Sequence, residues 1–209
     1  ARVEVDPEKR NPHDFALWIK APENHLMKWD SPWGPSYPGW HIECSAMGQK
    51  YLGDQFDIHT GGIDLIPTHH ENEIAQSKGK CGKIPARYWL HGEYLLINGG
   101  KMSKSLGNVY LVKDIKEKGY DPIVYKLFSY SCHYRNKLNF TWEGIDAASK
   151  SLERLRNSYK LNINGTDELT AEDKEKLEQI EEKFHKAIND DLNMPLAMSY
   201  VWEAARFEK

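Results

Sequence analysis

The sequence predicts an α/β layer with a parallel sheet in its first half and a mostly helical second half, and three observations carry that reading. Between residues 39 and 97, extended apolar runs alternate with helix-patterned stretches, the order found where strands are joined by crossover helices. From about residue 110 onward, Val112 to Lys118, Pro122 to His133, Glu143 to Leu161 and Thr170 to Ile188 all show helical spacing. The 209 residues, 40% hydrophobic and 28% charged, suffice for one large domain or two small ones with a substantial core.

Residues 1–38 hold six of the ten prolines, Pro7, Pro12, Pro22, Pro32, Pro35 and Pro38. A surface-running connection is expected there, with short ordered pieces such as Asp14-Phe15-Ala16-Leu17-Trp18. From Gly39 to Leu52 the apolar positions Ile42, Ala46, Met47 and Leu52 suit a helix, and Gly53 suits its end. Phe56-Asp57-Ile58-His59 alternates like a strand, and Thr60-Gly61-Gly62 is expected to turn the chain after it. His69 to Lys78 has no breaker before Gly79, which predicts a second helix. Tyr88 to Ile97 reads as extended chain that turns at Asn98-Gly99-Gly100 into a flexible loop. Cys132 falls within the second of the four later helical patterns, the one running from Pro122 to His133. Thr170-Ala171-Glu172-Asp173 is similar to a capping box with Asp in the Glu position. Asn162 to Glu168, polar with a single Gly, is the best linker.

Composition excludes several classes of function. The apolar runs fall far short of the roughly 20 residues needed to cross a bilayer, and no charged-then-apolar leader opens the chain, so membrane insertion and secretion lose support. With 28 basic and 31 acidic residues the formal charge is −3, which excludes a uniformly basic coat and leaves only local patches to meet RNA. Cys44, Cys81 and Cys132 are odd in number and irregularly placed, unlike a disulfide framework, so a reducing, cytoplasmic setting is expected. An opening at Ala1 without Met, and an end at Phe207-Glu208-Lys209 inside a helical pattern, read as a fragment.

Two groups of residues carry chemistry. His69 and Glu73 stand at i and i+4, one turn apart on one helix face, the spacing of a divalent-metal pair and equally of a surface ion pair. Cys44 by itself reads as a small buried hydrophobe or as a ligand. Lys101-Met102-Ser103-Lys104-Ser105 supplies two ammonium groups and two hydroxyls after two glycines, chemistry suited to a polyphosphate whose charge moves during reaction. Lys150, Arg154, Arg156 and Lys160 put four cations in one helical stretch, either to meet RNA phosphates or as a solvated face.

The string Lys101 to Ser105 is similar to the signature loop of class I aminoacyl-tRNA synthetases. Trp33-Gly34-Pro35, Pro38-Gly39-Trp40-His41-Ile42-Glu43-Cys44-Ser45-Ala46-Met47, His59-Thr60-Gly61-Gly62-Ile63-Asp64 and His69-His70-Glu71-Asn72-Glu73-Ile74-Ala75-Gln76 resemble the cysteinyl-tRNA synthetase family in order and spacing. Leu106-Gly107-Asn108 and Asn189-Asp190-Asp191-Leu192-Asn193-Met194-Pro195 extend the likeness. The pattern departs from the family at Ile66-Pro67-Thr68, where an aromatic residue is usual, and at Met194, where threonine is common. His41-Ile42-Glu43-Cys44 begins like the HIGH motif but lacks its glycine and second histidine.

This resemblance implies the second half of a Rossmann-like class I catalytic domain over 1–109, a stem-contact region over 110–161, and the start of a helical tRNA-binding bundle over 162–209. It implies a zinc ion held by Cys44, His69 and Glu73, with a further cysteine from an N-terminal half that these residues do not include. Zinc would select the substrate thiolate over a hydroxyl because sulfur is the softer ligand. Trp40 would close over bound cysteine, its other reading being a core tryptophan, and His59 would face the amino acid. Asp64 would meet the adenosine ribose, while Gly61 and Gly62 would admit the nucleotide close to the backbone. Lys101 and Lys104 would be catalytic, and Met102, Ser103, Lys104 and Ser105 would hold ATP, which enters with magnesium. The implied partners are cysteine, ATP and tRNA(Cys), without a membrane; the implied enzyme is an ATP-dependent cysteine–tRNA ligase, with the fragment alone expected to be inactive. Two other readings stay open: a mycothiol-pathway ligase that passes cysteine to an amino sugar, and a nonenzymatic zinc- or RNA-binding module of synthetase origin.

Overall fold

The computed structural model describes residues 9–163 and 169–206. Most of the expected linker, 164–168, and the terminal Phe207-Glu208-Lys209 therefore lie outside the described residues, as do the opening residues 1–8. The chain forms two compact units, Ala1–His91 and Gly92–Lys209.

In the first unit the proline-rich stretch folds into a small antiparallel pair, β1 (Trp18–Lys20) and β2 (Ser36–Pro38). Helix α1 (Trp40–Leu52) follows and ends at Gly53, whose φ of 88° a side-chain-bearing residue rarely adopts. Strand β3 (Phe56–Gly62) comes next. Thr60, Gly61 and Gly62 belong to this strand rather than to the expected turn; the chain turns one step later, through a 3₁₀ turn at Ile63–Leu65 and a π-helical turn at Ile66–His70. Helix α2 (Glu71–Cys81) starts where that turn ends and runs through Gly79 to stop at left-handed Gly82. One interior glycine costs a helix only about 1 kcal/mol, so Gly79 does not end it. Strand β4 (Ala86–Gly92) pairs with β3. The Phe56 N–H donates to the Pro85 carbonyl at 2.9 Å, which brings the two strand beginnings side by side, as in a parallel pair joined by a helical crossover.

The second unit contains β5 (Leu95–Ile97), β6 (Gly100–Lys101), α3 (Val112–Glu117), α4 (Ile123–Ser129), β7 (Leu138–Phe140), α5 (Trp142–Ile163), α6 (Ala171–Asn189) and α7 (Met194–Ala205). Its sheet has the order β6-β5-β7, with β5 antiparallel to β6 and parallel to β7. Instead of the single layer that the alternation predicts, the strands among the described residues are distributed over three small sheets. Ile97, Ile115, Val124, Phe128, Phe140, Ile145 and Ala148 form the core, with Met102, Tyr110, Tyr125 and Trp142 packed on it.

Helix α4 is shorter than the pattern Pro122 to His133. The Ser129 and Ser131 hydroxyls donate to the Lys126 and Phe128 carbonyls at 2.7 Å each, competing with further helical bonds. Cys132 consequently lies after the helix. At α6 the expected cap forms: Thr170 Oγ1 accepts from the Asp173 N–H at 3.1 Å and donates to the Asp173 carboxylate at 2.7 Å. Among the described residues no helix is long and apolar enough to cross a membrane.

Candidate functional site

The buried interior of the first unit is polar. Among its described residues the buried apolar side chains are confined to the neighbours Pro85 and Ala86, whereas Ser36, His69, His70, Glu73 and Ser77 are all buried. Burying imidazoles and a carboxylate is unfavourable unless each finds a partner, and the partners define the site.

Cys44 comes from α1, His69 from the π-helical turn and Glu73 from the first turn of α2; one ligand-capable atom of each lies within 4.8 Å of the others. His69 Nε2 stands 3.7 Å from Glu73 Oε2, the one-turn proximity that the i, i+4 spacing predicts. His69 Nδ1 is hydrogen-bonded to His41 Nδ1 at 2.8 Å, which engages one ring nitrogen and leaves the other facing Glu73. Such an outer partner orients an imidazole for coordination. His59, His70 and Glu73 form a second group that shares the carboxylate. His59 Nε2 lies 2.8 Å from Glu73 Oε2 and His70 Nδ1 lies 2.7 Å from His91 Nε2. Trp89 closes this side with ring centroids 4.9 Å from both His59 and His70.

The electrostatics follow from this crowding. Burial, reinforced by the charges of Glu73 and Glu43, pushes the Cys44 thiol above its ordinary range. Burial and the neighbouring His59, His91 and His69 push His70 down to about 4, so it is neutral at physiological pH. His41 is lowered by burial and by His69, with Glu73 opposing.

Trp40 is 57% exposed, so the core reading of this tryptophan does not hold; its ring lies over His69 with centroids 4.3 Å apart. Gly61 and Gly62 are needed for a reason the motif alone does not give. A Cβ on Gly61 would come within 2.7 Å of the His70 ring and 2.8 Å of Leu65, and one on Gly62 within 2.4 Å of the Asp64 carboxylate. The glycines thus let His70 and Asp64 fold back against β3.

Lys101 to Ser105 belong to the second unit. Asn98 and Gly99 both have positive φ, 49° and 78°, and Ile97 pairs with Gly100 across them. This is a two-residue hairpin of the I′ kind: the chain turns where expected, at Asn98-Gly99, but passes into strand β6 before the loop. Met102 packs on the core of the unit. Ser103 N–H donates to Asn108 Oδ1 at 2.8 Å, Asn108 Nδ2 donates to the Lys101 carbonyl at 2.9 Å, and the Ser103 and Ser105 hydroxyls are 2.7 Å apart. A 3₁₀ turn at Lys104–Leu106 ends at left-handed Gly107. Lys101 and Lys104 remain exposed.

Sequence reasoning missed Asn108 as the latch of this loop and Gln76 as a bond between α1 and α2. The Asn-Gly pair between apolar runs was a readable hairpin signal; the role of Gln76 has no local signature. Of the four cations on α5, Lys150 pairs with Asp146 at 2.7 Å and Arg156 with Asp121 at 2.6 Å, which favours a solvated, locally paired face.

The chain is similar to known proteins along its whole length. Residues 1–150 match the tRNA synthetases class I (C) catalytic domain. A cysteine–tRNA ligase of Pelotomaculum thermopropionicum is 49% identical over 212 residues, covering 99% of this chain and 43% of that protein. One from Bacillus cereus (strain G9842) is 47% identical over 213 residues, covering 99% and 45%. The chain thus spans less than half the length of these relatives. The crystal structure of an Agrobacterium radiobacter K84 LeuRS with tRNA and LeuAMS superimposes with a TM-score of 0.65 at 17% identity, over 86% of this chain and 29% of that one. At that identity the likeness concerns the fold.

Proposed function

Since the chain belongs to the class I tRNA synthetases of the cysteine type, we propose that the full-length protein carrying it activates cysteine with ATP and transfers it to tRNA(Cys). The observation that carries this reading is the convergence of a thiol, an imidazole and a carboxylate, Cys44, His69 and Glu73, from separate elements into one polar interior. That donor set fits zinc, which takes sulfur, nitrogen and oxygen ligands at about 2.0–2.3 Å, and the mutual separations allow all three to reach one ion. Zinc bound there supplies a soft acceptor that prefers a thiolate to a hydroxyl.

The chain's own residues do the remaining work. His41 and His59 hold His69 and Glu73 from behind. Trp40, whose exposure beside His69 supports the reading, covers bound cysteine, and His59 faces it. Gly61 and Gly62 at the end of β3, with Asp64 in the turn that follows, meet the nucleotide. Lys101 and Lys104, with Met102, Ser103 and Ser105, meet the triphosphate of ATP and its magnesium, the ammonium groups stabilising charge as pyrophosphate departs. Residues 1–109 would be the second half of the catalytic domain, 110–161 the stem-contact region and 162–209 the start of the helical tRNA-binding domain, in a cytoplasmic enzyme. The names of the relatives favour tRNA over an amino sugar as acceptor, and an enzyme over a nonenzymatic zinc- or RNA-binding module.

Metal analysis of the full-length protein tests the site. One zinc per chain is expected, lost in a folded Cys44→Ala, His69→Ala double variant; stoichiometric zinc in that variant would remove the assignment.

A further inference from the structure

We propose that Gln76 is a positioning residue of the metal site, its amide fixing α1 against α2 and with it the distance from Cys44 to His69 and Glu73. The inference rests on the reading of those three residues as ligands.

Helix α1 brings Cys44 but has no buried residue of its own, so no apolar core sets its register on α2. Nor does it carry a side-chain cap: Gly39 offers none to its first turn, and the Ile42 N–H has only a long 3.2 Å bond to the Gly39 carbonyl in place of a full helical partner. Gln76, half-buried on α2 and three residues beyond Glu73, supplies both functions. In the amide orientation that satisfies its surroundings, Oε1 accepts the Ile42 N–H at 3.3 Å while Nε2 donates to the His41 carbonyl at 3.1 Å and to Ser45 Oγ at 2.5 Å. The gripped residues Ile42 and Ser45 flank Cys44 on either side. His41, held at its carbonyl by Gln76, is also the residue whose ring bonds His69. One side chain therefore ties together the helix that brings the thiol, the helix that brings the carboxylate and the outer partner of the imidazole. The other polar link between the helices, Lys80 to Gln49, is solvent-exposed and lies at the far end of α1. A slide of α1 along α2 that misplaced Cys44 would first have to break the three bonds to Gln76.

The test is zinc affinity by chelator competition on the full-length protein, with the absorption spectrum of the cobalt(II)-loaded form reporting the ligand geometry. Gln76→Leu should weaken zinc binding about 10- to 100-fold, the usual loss for an outer-shell partner, and should alter the cobalt spectrum. Gln76→Glu keeps the acceptor for Ile42 N–H but cannot donate to the His41 carbonyl, so it should fall between wild type and Gln76→Leu. Lys80→Ala should leave affinity and spectrum unchanged. Should Gln76→Leu fail to fold, the comparison of Gln76→Glu with wild type decides. Wild-type affinity in the folded Gln76 variants, or an equal loss in Lys80→Ala, would overturn the positioning role while leaving the ligand assignment intact. Absence of zinc binding by the wild type, or undiminished binding by Cys44→Ser, would overturn the ligand assignment and this role together.

Discussion

Arg135 grips Asp191 across 56 positions of sequence, its Nε donating to Oδ2 at 2.5 Å and a terminal nitrogen to Oδ1 at 3.2 Å. Tyr134 adds its hydroxyl to Oδ1 at 2.6 Å, and His133 Nε2 meets the Asp191 carbonyl at 3.0 Å. Three consecutive residues thus hold the bend between α6 and α7, where Asp191 and Leu192 take left-handed φ values of 52° and 55°. Such a backbone is unfavourable for residues with a Cβ and persists where its surroundings enforce it.

The Arg135 and Tyr134 hydrogen bonds hold the Asp191 carboxyl down to about 2. Because the folded value lies below the unfolded one, the stabilisation is complete above about pH 4 and disappears as pH falls toward 2. Asp191→Asn should therefore lower the melting temperature at neutral pH, and the gap to wild type should close between pH 4 and 2. A gap that stays constant over that range would show that the carboxylate charge contributes nothing.

At Gly99, φ of 78° sets a different expectation. Gly99→Val should destabilise the full-length protein by about 1–2 kcal/mol, the cost of a left-handed residue with a Cβ, and Gly99→Asn should cost less. Denaturant unfolding measures both; equal stability of the valine and asparagine variants would contradict the I′ turn.

The exposed ammonium of Lys104 provides the third expectation. Lys104→Ala should lower the rate of cysteinyl-adenylate formation on the order of 100-fold or more, as for loss of a preorganised charge-stabilising donor, with little change in cysteine or ATP binding. Lys104→Arg should recover part of it. Zinc content should stay the same. A loss fully explained by weaker ATP binding would leave the loop as a ground-state binding element.

Local signals carried well where short-range physics decides. The helix from Trp40 to Leu52 with its stop at Gly53, the strand beginning at Phe56 and the Thr170 cap all follow from spacing and cap chemistry within a few residues. Spacing alone pointed to the His69–Glu73 pair, and only the family resemblance joined Cys44 to it; the three do lie together. What stayed hidden was decided at a distance. Gly61 looks like a turn residue, yet it lies in a strand, and its missing Cβ leaves the space that His70, nine residues on, occupies. The strand Leu138–Phe140 has only three residues and exists because β5 is there to pair with it. The bond from Gln76 on α2 to Ser45 on α1 spans 31 positions, and the Arg135–Asp191 pair spans more, so neither leaves a periodic trace.

On the proposed function, Cys44, His69 and Glu73 hold a zinc ion that chooses cysteine for activation. Amino-acid-dependent exchange of pyrophosphate into ATP by the full-length protein tests it most directly, with cysteine and serine compared before and after removal of metal by a chelator. Exchange with cysteine is expected, with exchange for serine lower by more than about 100-fold, loss of the cysteine reaction on chelation and its return on adding zinc. Comparable exchange with serine, or full cysteine-dependent exchange by the metal-free protein, would contradict it.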